Sequence, residues 1–125
     1  MLTGHSLIDI SREAENALST EYLVVKLGSA ETQVDVCGAT DTPIGIAQAP
    51  ASAGDQVAVR VAGISKAVAS AAITAGAFVK PAASGKVAAV ASAGDEIIGQ
   101  ALTAASGDGD IIDVLLARGT YYTAG

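Results

Sequence analysis

Few side chains in this sequence have the chemistry of a catalytic group. His5 is the single histidine and Cys37 the single cysteine of the 125 residues. A general base needs a positioned acid or nucleophile beside it, and the sequence places neither next to His5. We therefore interpret His5 as a contact or solvent-exposed residue. Cys37 ends an apolar run and is predicted to be a small buried hydrophobic residue.

The densest acidic cluster is Asp108, Asp110 and Asp113, in the stretch SGDGDIIDV. A calcium loop uses such carboxylates, but the bidentate glutamate of an EF-hand does not follow at the required spacing. Turn formation is the interpretation we favour. The weakest functional hypothesis is a small hydrolase or metal-dependent enzyme that uses these three carboxylates.

The stretch ASGKV contains Gly85-Lys86 but lacks the earlier glycine and the final Ser or Thr of a phosphate-binding loop. We predict a β-turn there. Taken with the scarcity of reactive side chains, this favours a protein that is not an enzyme, with no catalytic residue, cofactor or metal site.

Charge and hydropathy limit the classes of partner. The chain has 7 basic and 13 acidic residues and a formal net charge of −6. The basic residues are scattered from Arg12 to Arg118. Phosphate binding needs clustered Lys and Arg, so we expect no nucleic-acid partner. Uncharged stretches such as residues 67–79 are shorter than the roughly 20 residues of a membrane-spanning helix, so we expect no membrane partner.

The apolar residues are mostly small. They make up 50% of the chain, whereas aromatic residues make up 3%. The stabilisation from burial scales with the apolar area removed from water, so a lone domain of this kind is expected to have modest stability. We expect association with other chains to supply part of it. The single cysteine and the lack of a leader-like N-terminus predict synthesis in a reducing cytoplasm.

Period-two patterning from Tyr22 onward predicts an all-β domain over residues 22–125. In GDQVAVRVAG, for example, Val57, Val59 and Val61 fall on one face. Gly, Pro, Ser or Asp interrupts the segments every eight to twelve residues, which favours a small β-barrel or β-sandwich. The alanine-rich SKAVASAAITAG is ambiguous, because alanine also favours a short helical turn.

Residues 1–21 are polar and are interpreted as an extended N-terminal arm. The stretch SREAENAL predicts either a short helix capped by Ser11 or a flexible terminus, and the sequence leaves both open.

An internal repeat relates residues 43–63 to residues 97–119. Ile44-Gly45 aligns with Ile98-Gly99, and each pair is followed by a loop, a Gly-Asp turn and a strand of branched residues. Glycine tolerates positive φ and aspartate can hydrogen-bond its own turn, so both residue types suit this position. The predicted turn-forming residues are Gly54, Asp55, Gly109 and Asp110.

With this repeat, residues 43–119 resemble the small capsid decoration (cement) proteins of tailed bacteriophages, the DUF2190-type family. The motifs that carry the resemblance are VAVRVAG after Gly54-Asp55, AAITAGAFV, ASGKV, and IIGQAL followed by GDIIDVLL. The resemblance implies a virion protein made in the host cytoplasm that binds the outer capsid surface and clamps neighbouring major capsid proteins. It also implies a homo-oligomer, with a trimer favoured, and no catalytic residues.

The predicted capsid contacts lie at the two termini. Those in the arm are Leu2, Thr3, His5, Leu7, Ile8, Ile10 and Arg12, and those at the C-terminus are Tyr121 and Tyr122. Packing of the two tyrosines onto the core is the alternative for that pair. The alternative function is a tail-associated or adhesin-like β binding module, although aromatic residues for sugar stacking are scarce.

Overall fold

The computed structural model describes residues 7–120, apart from the side chains of Arg118 and Thr120. Over this range the chain forms ten strands and no α-helix, so the prediction of an all-β fold is confirmed. No helix in the described range is long and apolar enough to cross a bilayer. The strands are β1 (Ile8–Ala14), β2 (Val24–Leu27), β3 (Gln33–Val36), β4 (Gly45–Ala47), β5 (Gln56–Ala62), β6 (Ile64–Val68), β7 (Phe78–Pro81), β8 (Val87–Ala89), β9 (Glu96–Ala101) and β10 (Ile111–Thr120).

The first five strands close a small barrel in the order β1-β3-β2-β4-β5. Its pairings are antiparallel except for β1 with β3, which run parallel. The last five strands form a second sheet in the order β6-β10-β9-β7-β8. A closed barrel has no free edge strand, so its backbone groups pair internally.

The second sheet repeats the topology of the barrel. Each strand of the barrel has a counterpart five strands later, so that β1 corresponds to β6 and β5 to β10. With this numbering, the cyclic strand order of the barrel, read in the opposite direction, is the strand order of the second sheet. The parallel pairing of Ala14 with Val34 helps to close the barrel. Its counterpart in the second half is a single parallel bridge between Ala69 and Val87. The chain is therefore two copies of one five-stranded unit, and the second copy is closed by less backbone pairing.

The residue pairing between strands confirms the repeat predicted from the sequence. Gly45 pairs with Val25 and Gly99 pairs with Val79 at equivalent places in the two halves. The branched residues of the two predicted strands face inward, and the four most buried are Val57, Val59, Ile112 and Val114.

The N-terminal segment differs from the prediction. Residues 8–14 are not an arm or a helix, because β1 pairs along both edges, with β5 and with β3. Ile10 packs against the barrel core and Ala14 is fully buried within it. Alanine and glutamate favour a helix in isolation, but two neighbouring strand edges and a buried face outweigh that preference. The preceding residues 1–6 lie outside the described range.

The alanine-rich stretch after Gly63 forms no helical turn. Its first part is β6, in which Ala67 is fully buried, and Ala69 follows it in the single bridge to β8. Ile73 then makes an antiparallel bridge to Ala105. Inward-facing alanines fill the narrow interior between paired strands, so they act here as small strand residues.

The two halves share a buried core. Val24, Cys37 and Ile46 of the barrel belong to the same apolar cluster as the interior of the second sheet. The β7–β8 hairpin also contacts the barrel, since the Gly85 amide donates to the Cys37 carbonyl at 3.0 Å. Ser84 and Gly85 have φ of 62° and 76°. The Lys86 amide donates to the Ala83 carbonyl, which makes the predicted β-turn a type I′ turn.

Candidate functional site

Three Gly-Asp turns of one geometry occur within residues 7–120. Gly54, Gly94 and Gly109 have φ of 91°, 92° and 91°. In each turn the aspartate amide donates to the carbonyl three residues earlier, and these carbonyls belong to Ser52, Ser92 and Gly107. A positive φ at the third turn position is the requirement of a type II turn, which glycine meets without strain.

The carboxylates of all three turns accept hydrogen bonds from the turn itself, and that of Asp55 accepts the Ser52 amide at 3.3 Å. Asp110 accepts the Ser106 hydroxyl at 2.6 Å and the Ser106 amide at 2.7 Å, and these bonds lower the pKa of its carboxyl. Asp95 accepts the amides of Ser92 and Ala91, which lowers its pKa. The turn at residues 92–95 was missed from sequence, although its SAGD repeats residues 52–55.

The acidic cluster singled out in the sequence does not converge on one point. The Asp108 carboxylate pairs with Lys86 at 2.8 Å, and that of Asp113 pairs with Lys66 at 3.1 Å. Asp110 is occupied by its own turn. Within the described part of the chain no three His, Cys, Asp or Glu side chains are grouped to hold a metal ion. Each carboxylate therefore has a separate structural partner.

Cys37 is buried, as the sequence predicts. Burial raises the pKa of its thiol to about 11. The thiolate that would act as nucleophile or metal ligand is disfavoured in such a site, so Cys37 packs as an apolar residue.

A polar cleft of about 270 Å³ opens between β1, β2 and β3. Its carboxylates already have partners. Glu15 accepts the amide and the hydroxyl of Ser29, each at 2.7 Å, and the amide bond is the main reason that the Glu15 pKa is lowered. Asp35 accepts the Asn16 side-chain amide at 3.1 Å. The cleft is thus a region of internal polar pairing around the barrel end.

The predicted capsid contacts fall into different environments. Leu7 and Ile8 are 49% and 53% exposed at the start of β1. Ile10 faces the barrel core, and Arg12 lies on the same inward side, where its Nε is buried without a hydrogen-bond partner. Leu7 and Ile8 are therefore the most accessible apolar residues among these contacts in the described range. The remaining predicted contacts lie outside it, and these are Leu2, Thr3, His5, Tyr121 and Tyr122.

A partly buried ion pair between Arg60 and Asp9 was missed by the sequence analysis. Arg60 donates to both carboxylate oxygens of Asp9, at 2.8 and 3.2 Å, and to the Ile64 carbonyl at 3.1 Å. The hydrogen bonds to Asp9 raise the pKa of Arg60. The guanidinium thereby ties β1, β5 and β6 together. The residues are far apart in sequence, so only the β1–β5 register brings them together.

The second sheet carries an exposed apolar surface on the side away from its core. Phe78, Leu102, Ile111 and Leu115 are each 41–51% exposed. Phe78 and Leu115 are paired with the same residue of β9, Gln100, and therefore project from the same face. We name this surface the outer sheet face, and it consists of Phe78, Leu102, Ile111 and Leu115 with Gln100, Lys66 and Asp113 between them.

Comparison with known proteins places this architecture among phage structural proteins. The crystal structure of the head fiber gp8.5 N base of bacteriophage phi29 has a similar fold, with a TM-score of 0.70 and 14% sequence identity. The match covers 94% of this chain and 100% of that chain. No curated protein sequence matches this chain. The family model for phage cement proteins matches residues 3–116, so the chain belongs to the phage cement protein family.

Proposed function

We propose that this protein is a structural component of a phage head, which binds the outer capsid surface and clamps neighbouring major capsid proteins. The observation that carries the proposal is the family match over residues 3–116. The fold match to the base of a phage head fiber supports the same location in the virion.

Preferential binding to the assembled capsid supplies the physical mechanism of stabilisation. A protein that binds only the assembled lattice stabilises that state by mass action, and the stabilisation grows with the logarithm of its free concentration relative to Kd. No chemistry is needed, which agrees with carboxylates that are held in turns and ion pairs and with a thiol whose pKa is raised to about 11. We infer a non-enzymatic role from this.

The proposal is tested with phage heads that lack the protein. Purified protein should co-sediment with these heads and raise the temperature at which they release DNA. Bovine serum albumin at the same concentration serves as the control for non-specific stabilisation. Failure to bind, or binding with no change in head lifetime, contradicts a cement role.

For the capsid contact we propose residues 2–6 together with the exposed pair Leu7 and Ile8. Deletion of residues 2–20 would remove β1 and open the barrel, so it does not separate binding from folding. Deletion of residues 2–6 and the substitution Ile8→Lys leave the β1 pairing positions in place. Each should weaken head binding at least tenfold while the far-UV circular dichroism stays unchanged.

Leu27→Lys is the matched control for Ile8→Lys, because Leu27 is 58% exposed in a different strand, β2. Head binding by this variant should equal that of the unmodified protein. Equal loss for both substitutions contradicts a contact at the N-terminus.

The tail-associated module is distinguished by labelling intact virions. Label over the head supports the cement role, and label at the tail supports the alternative. Label on the outer head surface would also agree with synthesis in the host cytoplasm, because heads assemble there.

A further inference from the structure

The outer sheet face has the composition of a protein contact rather than of a solvated sheet surface. Phe78, Gln100 and Leu115 lie side by side on three neighbouring strands, and Ile64 continues the row on β6. Leu102, two residues after Gln100, is 43% exposed. Isolated exposed apolar residues are common, but several in adjacent positions on one sheet face indicate an interaction site.

The polar groups on this face are already paired. Gln100 donates its side-chain amide to the Gly76 carbonyl at 2.9 Å. The Lys66 ammonium and the Asp113 carboxylate pair at 3.1 Å. The face as defined therefore carries equal numbers of positive and negative side chains, on a chain whose formal net charge is −6. Two copies of an acidic chain repel each other over most of their surfaces, and an electrically balanced face is where they can approach.

The duplication shows what this face does in the other half. Val24 and Ile46 are paired across β2 and β4 as Phe78 and Gln100 are across β7 and β9. Both barrel residues are 0% exposed, because they pack into the core of the second sheet.

Two further barrel counterparts also contact the second half. Gln48 occupies the place of Leu102, and its side-chain amide donates to the Ser65 hydroxyl at 2.9 Å. Arg60 occupies the place of Leu115 and donates to the Ile64 carbonyl. In the barrel the part of this face on β2, β4 and the end of β5 is therefore the interface between two copies of the same structural unit, whereas its Gln56 end is exposed. In the second sheet the equivalent face is apolar and has no neighbour within the described chain.

We propose that the outer sheet face binds a second copy of this chain. The packing of the barrel against the second sheet within one chain would then be repeated between chains. This inference goes beyond head binding and does not depend on it. A partner built from the same unit is favoured because the fold already uses this face for such a unit. The balanced charge of the face means that the contact itself adds no excess of like charge between two acidic copies.

The test is sedimentation velocity of the purified protein over a hundredfold range of concentration. The unmodified protein should associate with increasing concentration, and the fitted stoichiometry also tests the predicted trimer. Leu115→Lys should weaken association at least tenfold. Lysine makes the net charge of the chain less negative, so this loss cannot come from a larger overall charge on each copy. Leu27→Lys is the matched control and should associate like the unmodified protein.

Leu102→Lys repeats the test at a position outside the regular strand, in case Leu115→Lys fails to fold by circular dichroism. Hydrogen exchange of the unmodified protein provides a readout that needs no variant. Amides of residues 102–104 should exchange more slowly in concentrated than in dilute solution.

Three outcomes overturn the proposal. The unmodified protein is a monomer at every concentration, both variants associate normally, or exchange at residues 102–104 is independent of concentration while the protein associates. A monomer whose outer sheet face is protected only on phage heads would assign the face to the capsid instead.

Discussion

Gly45 and Gly99 lie where the backbone of a neighbouring strand passes too close for any side chain. A Cβ on Gly45 would collide with the Arg60 carbonyl oxygen, and one on Gly99 would collide with the Leu115 carbonyl oxygen. Since the obstacle is backbone rather than the end of a flexible side chain, it can move aside only by shifting the neighbouring strand. The two glycines therefore set the close approach of β4 to β5 and of β9 to β10.

Gly99→Ala is expected to destabilise the protein by about 1–3 kcal/mol, the usual cost of forcing extra atoms into packed structure. Urea unfolding followed by circular dichroism measures the change. Gly107→Ala is the control, because a Cβ there meets nothing within 4 Å, and it should stay within about 0.5 kcal/mol of the unmodified protein. Equal stability of the two variants would contradict the close approach.

At the scale of elements, β1 is held in place by more than its backbone pairing. The Arg60 side chain is 20% exposed and contacts β1 through Asp9 with two hydrogen bonds. Bidentate arginine–carboxylate pairs are stronger and more directional than single ion pairs. This pair fixes the start of β1 beside the junction of β5 and β6.

Arg60→Ala should lower the free energy of unfolding by about 1.5–3 kcal/mol, because it removes hydrogen bonds to a charged group in a partly buried site. Lys86→Ala is the control, since its partner Asp108 is 65% exposed and such surface pairs contribute about 0–1 kcal/mol. Denaturant unfolding of both variants gives the comparison. A smaller loss for Arg60→Ala than for Lys86→Ala would exclude the anchoring role of the pair.

At the scale of the whole molecule, the two halves share a core, so we expect them to unfold together as one domain. Ile46 is fully buried between the barrel and the second sheet, in the same cluster as Val114 of the second half. Removing packing at this boundary is therefore expected to destabilise both halves at once.

Ile46→Ala is expected to cost about 2–5 kcal/mol, the range for truncation of a buried isoleucine. Thermal unfolding followed by circular dichroism and by tyrosine fluorescence should still give coincident transitions at a lower temperature. Leu27→Ala, at a residue that is 58% exposed, should change the free energy of unfolding by no more than about 0.5 kcal/mol. Two separate transitions in Ile46→Ala would show that the halves are independent domains.

The sequence by itself determined the features that depend on neighbouring residues. Alternating valines predict strands, and the chemistry of Gly54-Asp55 and Gly109-Asp110 predicts their turns. The equivalence of Ile44-Gly45 with Ile98-Gly99 can also be recognised from the sequence. Close backbone approach requires glycine at both positions, so the residue type is the same in the two halves. The all-β class and the repeat follow from these local signals.

Only the tertiary structure decided the extent of the duplication and the role of the N-terminal segment. Ala14 and Ala69 occupy equivalent bridging positions with Val34 and Val87, but the strands around them share little sequence. An inward position needs only a side chain of suitable size, and an outward position tolerates nearly any residue, so the alignment is lost while the register persists. The pairing of β1 with two distant strands, the Arg60–Asp9 contact and the outer sheet face all depend on that register.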